Sequence, residues 1–297
     1  MRLDIRSASA WNRRIAQAAI VMALVAPIAA CDTIGDLNPF DKQEAYKPEI
    51  TPSVPAEQLY NEGLGLLQKN DFTDAAKKFT DLDKQYPFSV WSKKALILQT
   101  YAYYTARNYE EAVTAGRRYL TLHPASPDAA YAAYMVGMSY YNQIPDVTRD
   151  QERTEKALLT LQEVVQRWPN SEYATDAKYK IQVAKDQIAG REMVVGRYYL
   201  ERRNYTAAIN RFRLVVSSYQ STNQVEEALS RLAESYVALG IMNEAQTAAA
   251  VLGHNFPDSR WYRDTYTLLQ SKGSVPREDK GSWISRAFAK TGINWDG

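Results

Sequence analysis

Histidine and cysteine are scarce in this chain of 297 residues, which has two His and one Cys. Protein metal sites need clusters of such ligands, and His123 and His254 stand far apart, each shortly before a proline. A Gly-rich phosphate loop and a Gly-x-Ser-x-Gly nucleophile motif are also lacking. We therefore expect no metal, no cofactor and no enzymatic activity.

Excess charge of either sign is lacking as well. The formal net charge is +2, and residues 1–30 contribute four arginines against one aspartate. Without that segment the chain is close to neutral. Proteins that bind nucleic acid through its phosphates carry a clear basic surplus. We expect no nucleic-acid partner.

What is present is a short closing turn that recurs five times. An aromatic or His ring is followed, in four of the five copies, by Pro, and the turn ends on Ser or Thr. Pro forbids continuation of a helix, and Ser or Thr is a ready N-cap for the next one. The copies lie at residues 86–89, 123–126, 168–171, 219–222 and 256–259.

Each turn closes a stretch with helical periodicity interrupted by a polar break, which predicts a hairpin of two helices. The second helix of each hairpin carries an alanine at the same place: Ala75, Ala112, Ala157, Ala208 and Ala245. An irregular helical bundle would not repeat its turn in this way. The pattern predicts an all-α fold, a right-handed solenoid of five tetratricopeptide-like hairpins.

The longest uninterrupted helical pattern follows residue 171 and predicts one helix of about 30 residues, or about 45 Å, linking repeats three and four. It separates a front half (56–170) from a back half (171–271) that ends in a closing helix from Arg260 to Ser271. Gly190 is a point where the helix could bend. An insertion at residues 145–155 is either a tolerated surface loop or a contact surface.

Residues 1–30 have a basic start, a short apolar run and small residues before Cys31, the features of a secretory signal. Ile28-Ala29-Ala30-Cys31 looks like a bacterial lipobox, so we expect Cys31 to carry the lipid, including palmitate, that anchors the chain. The alternative is ordinary signal cleavage beside a chance cysteine. Residues 31–55, rich in Pro and polar side chains, read as a flexible tether.

The first helices of such hairpins line a concave groove. By alignment on the repeated Ala and Pro positions, the front groove should present Tyr60, Tyr101, Tyr104, Tyr134 and Tyr141, together with Leu64 and Met138. Tyrosine rings offer large contact areas and a hydroxyl for backbone groups, which suits an extended peptide. The alternative is that some of these rings simply pack one hairpin on the next.

The tail, residues 272–297, contains a short amphipathic helix. Ser282 is a cap, and Trp283, Ile284 and Phe288, with Ala287, fall on one face. Such a short helix is marginal by itself and needs a surface, either its own solenoid, a partner or the membrane. We expect it to dock on a partner.

Several local motifs stand out along residues 31–260. They are Tyr86-Pro87-Phe88-Ser89, Ala102-Tyr103-Tyr104, Tyr134-Met135-Val136-Gly137, Arg149-Asp150 within the insertion, Tyr173-Ala174-Thr175-Asp176-Ala177 and Tyr198-Tyr199-Leu200-Glu201-Arg202. Together with the lipobox, the tether and the five repeats, these motifs resemble the BamD (ComL) family, tetratricopeptide-repeat lipoproteins of the outer-membrane β-barrel assembly machine.

The resemblance implies a lipid-anchored protein of the outer membrane that faces the periplasm. It implies that the back half binds the periplasmic domains of BamA, with Arg211 of the Asn210-Arg211 pair as a contact. It also implies that the front half receives unfolded barrel proteins, and that other assembly-machine lipoproteins are partners. Asp32 departs from this picture, because an Asp after the lipid Cys retains lipoproteins in the inner membrane of enteric bacteria. The competing interpretation is a periplasmic tetratricopeptide adaptor for cell-wall or envelope-constriction machinery.

Overall fold

Twelve α-helices and no β-strand make up residues 54–289, the part of the chain that the computed structural model describes. The predicted signal segment, Cys31 and nearly all of the tether lie outside it. The helices are α1 (Ala56–Gln68), α2 (Phe72–Gln85), α3 (Val90–Thr105), α4 (Tyr109–Leu122), α5 (Ala129–Tyr141), α6 (Glu152–Arg167), α7 (Tyr173–Glu201), α8 (Tyr205–Ser218), α9 (Val225–Ala238), α10 (Met242–Asn255), α11 (Arg260–Ser271) and α12 (Trp283–Ala289).

The helices pair in chain order into five antiparallel hairpins, from α1/α2 to α9/α10, and α11 closes the stack. Each helix packs against the next from α1 to α10, and the first helices α1, α3, α5 and α7 also contact one another in sequence. This arrangement is a tetratricopeptide-like solenoid, which confirms the fold predicted from the repeated turns.

The closing turns have one backbone conformation in all five copies. Tyr86, with φ −133° and ψ 55°, ends α2, and Trp168, with φ −130° and ψ 59°, ends α6. In each copy the N–H three residues after the ring residue donates to that residue's carbonyl, as Ser89 does to Tyr86 at 3.1 Å. The five alanines of the second helices are fully buried. The sequence repeat is therefore a structural repeat.

Small residues allow the two helices of a hairpin to cross closely. In the first hairpin a Cβ added to Gly63 would lie 2.5 Å from the ring of Phe79, and Phe79 itself has no exposed surface. Real Cβ atoms do not approach other atoms so closely, so Gly63 is required by the neighbouring ring rather than by a turn.

The polar break inside the hairpins uses a left-handed residue five positions before the buried alanine. Asn70 (φ 58°), Arg107 (φ 62°), Arg203 (φ 56°) and Gly240 (φ 75°) occupy this position in hairpins one, two, four and five. In hairpin three the insertion at residues 145–155 replaces the tight turn.

That insertion packs on the long helix α7, and a contact of the insertion with another molecule stays a prediction. The Gln187 side chain donates to the carbonyl of Pro145 at 2.8 Å, and Val147 lies against Gly190. Gly190 thus provides room for Val147. Helix α7 spans 29 residues, close to the predicted length.

The tail forms the predicted helix, α12, but the expected partner docking is corrected by the structure. Helix α12 packs against α8 and α10 of its own solenoid. Ile284 and Phe288 are fully buried in the core of the back half, and Trp283 packs against the same core. The apolar face of α12 is therefore buried against the chain itself, and it needs no partner to remove it from water.

We expect Phe288→Ala to lower the free energy of unfolding of the back half by about 3 kcal/mol, because a buried ring is removed from a packed core. Urea unfolding followed by circular dichroism measures it. Arg286→Ala is the matched control, since Arg286 is exposed on the same helix, and should change stability by less than about 0.5 kcal/mol. Equal effects of the two substitutions would contradict the docking of α12.

Candidate interaction surfaces

An aromatic cluster lies where the first helices α3, α5 and α7 come together. Tyr134 of α5 stacks on Tyr173 of α7 with ring centroids 5.2 Å apart, and Tyr131 lies 5.5 Å from the same ring. The rings of Tyr101 and Tyr104, on α3, are close enough for their charged forms to raise the pKa of Tyr131. We call these five residues the front aromatic cluster.

Hydrogen bonds hold parts of the cluster in place. The Tyr134 hydroxyl donates to Asp176 Oδ2 at 2.6 Å, and Asn142 donates to the Tyr104 hydroxyl at 2.8 Å. Tyr101 contacts Phe72 edge to face and keeps 38% of its surface exposed. The cluster is therefore a partly exposed platform of rings with fixed hydroxyls, suited to binding apolar side chains and backbone groups.

Burial raises the pKa of three tyrosines of the cluster above the ordinary value. It raises the pKa of Tyr131 to about 12, with a further contribution from the neighbouring tyrosines. It also raises the pKa of Tyr173 to about 12, and the pKa of Tyr134 lies well above its ordinary value because of burial and the bond to Asp176. At neutral pH these hydroxyls can both donate and accept hydrogen bonds.

The two other predicted groove tyrosines have different surroundings. Tyr60 packs between hairpins one and two, with ring centroids 6.0 Å from Phe79 and 5.0 Å from Trp91. Tyr141 packs in the core of hairpin three, and the Lys180 ammonium lies 5.0 Å from its ring. The alternative left open by the sequence, packing of hairpin on hairpin, describes these two rings.

Sequence reasoning missed Tyr131, Tyr173 and Asp176 as members of this site. Tyr131 lies three residues before Tyr134, so the i, i+3 spacing on α5 could have found it. Tyr173 and Asp176 begin the next helix, and only the packing of α7 on α5 brings them to Tyr134.

Arg211, predicted as a partner contact, lies on α8 and forms an ion pair within the chain. Its guanidinium is 3.1 Å from Glu192 Oε2 of α7, and the Arg211 side chain remains 44% exposed, whereas that of Glu192 is 14% exposed. A half-exposed pair of this kind contributes little to stability. Its effect is to fix the direction of the Arg211 side chain at the surface.

Other kinds of site are not found in the described part of the chain. Between residues 54 and 289 no group of three or more His, Cys, Asp or Glu side chains is placed to hold a metal ion. No helix in that range combines the length and apolar character needed to cross a membrane.

Comparison with known proteins gives the family. A family model described as "YfiO: Outer membrane lipoprotein" matches residues 52–252. The "Outer membrane protein assembly factor BamD" of Caulobacter vibrioides is 43% identical over 234 residues, covering 78% of this chain and 77% of the relative. The chain belongs to the BamD family.

Further BamD relatives come from other bacteria. The factor of Rickettsia prowazekii is 42% identical over 218 residues, covering 73% of this chain and 87% of its own length. That of Neisseria meningitidis serogroup A is 33% identical over 250 residues, covering 81% and 91%. The resemblance read from local motifs is confirmed, and membership in the BamD family assigns the chain a role in outer-membrane protein assembly.

The front aromatic cluster predicts an alkaline loss of stability. Because the folded pKa of Tyr131 lies above the ordinary value of 10.0, the unfolded chain loses this proton first as pH rises. The free energy of unfolding should then fall between about pH 10 and pH 12. We expect Tyr131→Phe to make this decline shallower in urea titrations at stepped pH. The control is Tyr179→Phe, the same change at an exposed tyrosine. If the free energy of unfolding falls with pH equally steeply in both variants, Tyr131 does not contribute to the decline.

Proposed function

We propose that this chain is a non-enzymatic scaffold subunit of the outer-membrane β-barrel assembly machine. It binds a BamA-type barrel protein through its back half and unfolded outer-membrane proteins through its front half, next to other lipoproteins of the machine. A lipid on Cys31 anchors it to the outer membrane, facing the periplasm. The observation that carries the proposal is the front aromatic cluster on a chain of the BamD family.

The shape and chemistry of the front aromatic cluster support binding of an extended apolar segment. Its rings come from three successive first helices, so they form a continuous surface. Stacking and edge contacts between aromatic side chains and the rings need little reordering of the site, because the hydroxyls of Tyr104 and Tyr134 are already bonded. An unfolded barrel strand carries apolar and aromatic side chains of the matching kind.

The position of Arg211 supports a charged contact with the barrel protein. The cation is half exposed, and its bond to Glu192 holds it in one direction, which lowers the entropy lost when a partner carboxylate approaches. Charged groups of this type set the register of an interface, and removing a buried partner typically costs about 2–5 kcal/mol.

A pair of variants should separate the two binding functions. Tyr101→Ala with Tyr104→Ala should reduce crosslinking to a photoreactive peptide from the C-terminal strand of an outer-membrane barrel, while leaving co-purification with BamA unchanged. Arg211→Glu should do the reverse, since it reverses one charge in the back half and leaves the aromatic rings intact. Peptide crosslinking and BamA co-purification from detergent extract are measured for both variants.

Two further variants serve as controls. Tyr179→Ala removes an exposed ring of α7 outside the front aromatic cluster and should leave crosslinking unchanged. Glu192→Gln removes the ion pair within the chain but keeps Arg211, and should keep most BamA binding. The division between halves is wrong if peptide crosslinks map to the back half, and the role of Arg211 is wrong if Glu192→Gln and Arg211→Glu weaken BamA binding equally.

A further inference from the structure

A cleft of about 600 Å³ opens between α2, α3 and α4 in the front half. We call it the front cleft. Its lining includes Thr80, Gln99, Tyr103, Glu111, Thr114 and Arg118. Tyr101, of the front aromatic cluster, lies two residues from both Gln99 and Tyr103, about 200° around the helix. The front cleft is therefore a second surface, on the opposite side of α3 from that cluster.

A buried acceptor in the front cleft lacks a hydrogen-bond donor. Gln99 is 8% exposed, and its Nε2 donates to Thr80 Oγ1 at 2.6 Å. The Thr80 hydroxyl in turn donates to the Ala76 carbonyl at 2.8 Å, which fixes the amide orientation. Gln99 Oε1 has no partner. Buried polar atoms are almost always paired, so this oxygen leaves an unsatisfied acceptor in the wall of the front cleft, closed to a group in the cleft unless the Gln99 amide shifts.

The internal repeat supplies an occupied counterpart of the front cleft in the back half. There the groove between α8, α9 and α10 holds the tail helix α12. Four positions of the front cleft and of the back groove lie at the same distance in sequence from the buried alanine of their hairpin, and we treat them as equivalent. The pairs, front cleft first, are Thr80 and Arg213, Tyr103 and Tyr236, Glu111 and Glu244, and Thr114 and Thr247.

All four back-groove positions bind the tail. Trp283 packs against the core cluster that contains Tyr236, and the Arg213 guanidinium lies 4.7 Å from the Trp283 ring. The Ser282 hydroxyl donates to Glu244 Oε2 at 2.6 Å. The backbone N–H of Asp279 donates to Thr247 Oγ1 at 3.3 Å. A ring, a hydroxyl and a backbone amide are thus the groups that this kind of groove accepts.

The tyrosine at the base of the groove shows the effect of occupation. Tyr236, beneath the tail, is 7% exposed. Its equivalent in hairpin three, Tyr140, is 6% exposed, and Arg117, Arg153 and Lys156 each lie 6.0 Å from its ring. Tyr103, in the front cleft, is only partly buried. Of these three tyrosines, that of the front cleft is the least covered.

We propose that the front cleft docks a short amphipathic segment of a partner protein, in the way that the back groove docks the tail. The segment presents an aromatic ring to Tyr103, a hydroxyl to Glu111 and a backbone N–H to Thr114, as the tail does to the equivalent residues of the back groove. The occupant is a polypeptide because the lining offers acceptors spaced as in the groove that already holds one. The proposal stands on this equivalence and does not depend on peptide binding at the front aromatic cluster.

A peptide added to the full chain tests the proposal. The probe is a fluorescent peptide with the sequence of residues 278–289. In the full chain the tail already occupies the back groove, so the added peptide has only the front cleft to bind. We expect saturable binding in fluorescence anisotropy, weakened at least tenfold by Thr114→Trp, which fills the front cleft. Thr121→Trp is the matched control, since both threonines are exposed on α4 and bond to the carbonyl four residues earlier, and it should change affinity less than twofold.

Further variants keep the test decisive. Glu111→Ala, at an exposed position, should weaken binding if Thr114→Trp perturbs folding in circular dichroism. Lack of saturable binding, or equal binding by the Thr114 and Thr121 variants, would overturn the proposal. A photoreactive residue at position 114 then identifies the occupant in the membrane-purified protein. Crosslinks to an aromatic-containing segment of another protein support the proposal, and crosslinks to residues 31–53 of this chain overturn it.

Discussion

The solenoid depends on one steric constraint, the close crossing of two helices within each hairpin. In hairpins one to four a glycine on one helix faces a larger residue on the other at this crossing, and hairpin five has alanine at both positions. The glycine lies on the first helix in hairpins one, three and four, and on the second helix in hairpin two. The crossing positions are Gly63 and Phe79, Thr100 and Gly116, Gly137 and Leu161, Gly196 and Phe212, and Ala233 and Ala249.

The candidate surfaces follow from this constraint. The crossings stack the first helices α1, α3, α5 and α7 on one another along one side of the solenoid. Tyrosines spaced along the first helices therefore meet in the front aromatic cluster, although they are distant in sequence. The tail lies in a groove lined by the second helices α8 and α10, and the front cleft has residues at the equivalent positions. Both candidate surfaces arise from the stacking of hairpins rather than from a specialised loop.

The sequence predicted what depends on local periodicity. Helix bounds, the closing turns and the long helix α7 could be predicted because ring, Pro, Ser and Ala recur at fixed spacing. Tyr101, Tyr104 and Tyr134 were placed together by the same alignment. Contacts between distant segments could not be predicted, such as Asp176 on Tyr134, or α12 on α8 and α10. An amphipathic face indicates that a helix is covered, but not by which surface.

A double-mutant cycle at the fourth hairpin tests the crossing constraint most directly. Gly196→Ala should cost about 1–3 kcal/mol, because the added methyl overlaps the Phe212 ring. Phe212→Ala should cost about 3–5 kcal/mol through the cavity it leaves. Both changes together recreate the Ala–Ala pair of hairpin five. The loss of unfolding free energy in the double variant should then be smaller, by at least about 1 kcal/mol, than the sum of the losses in the two single variants. A loss in the double variant equal to that sum would contradict the account.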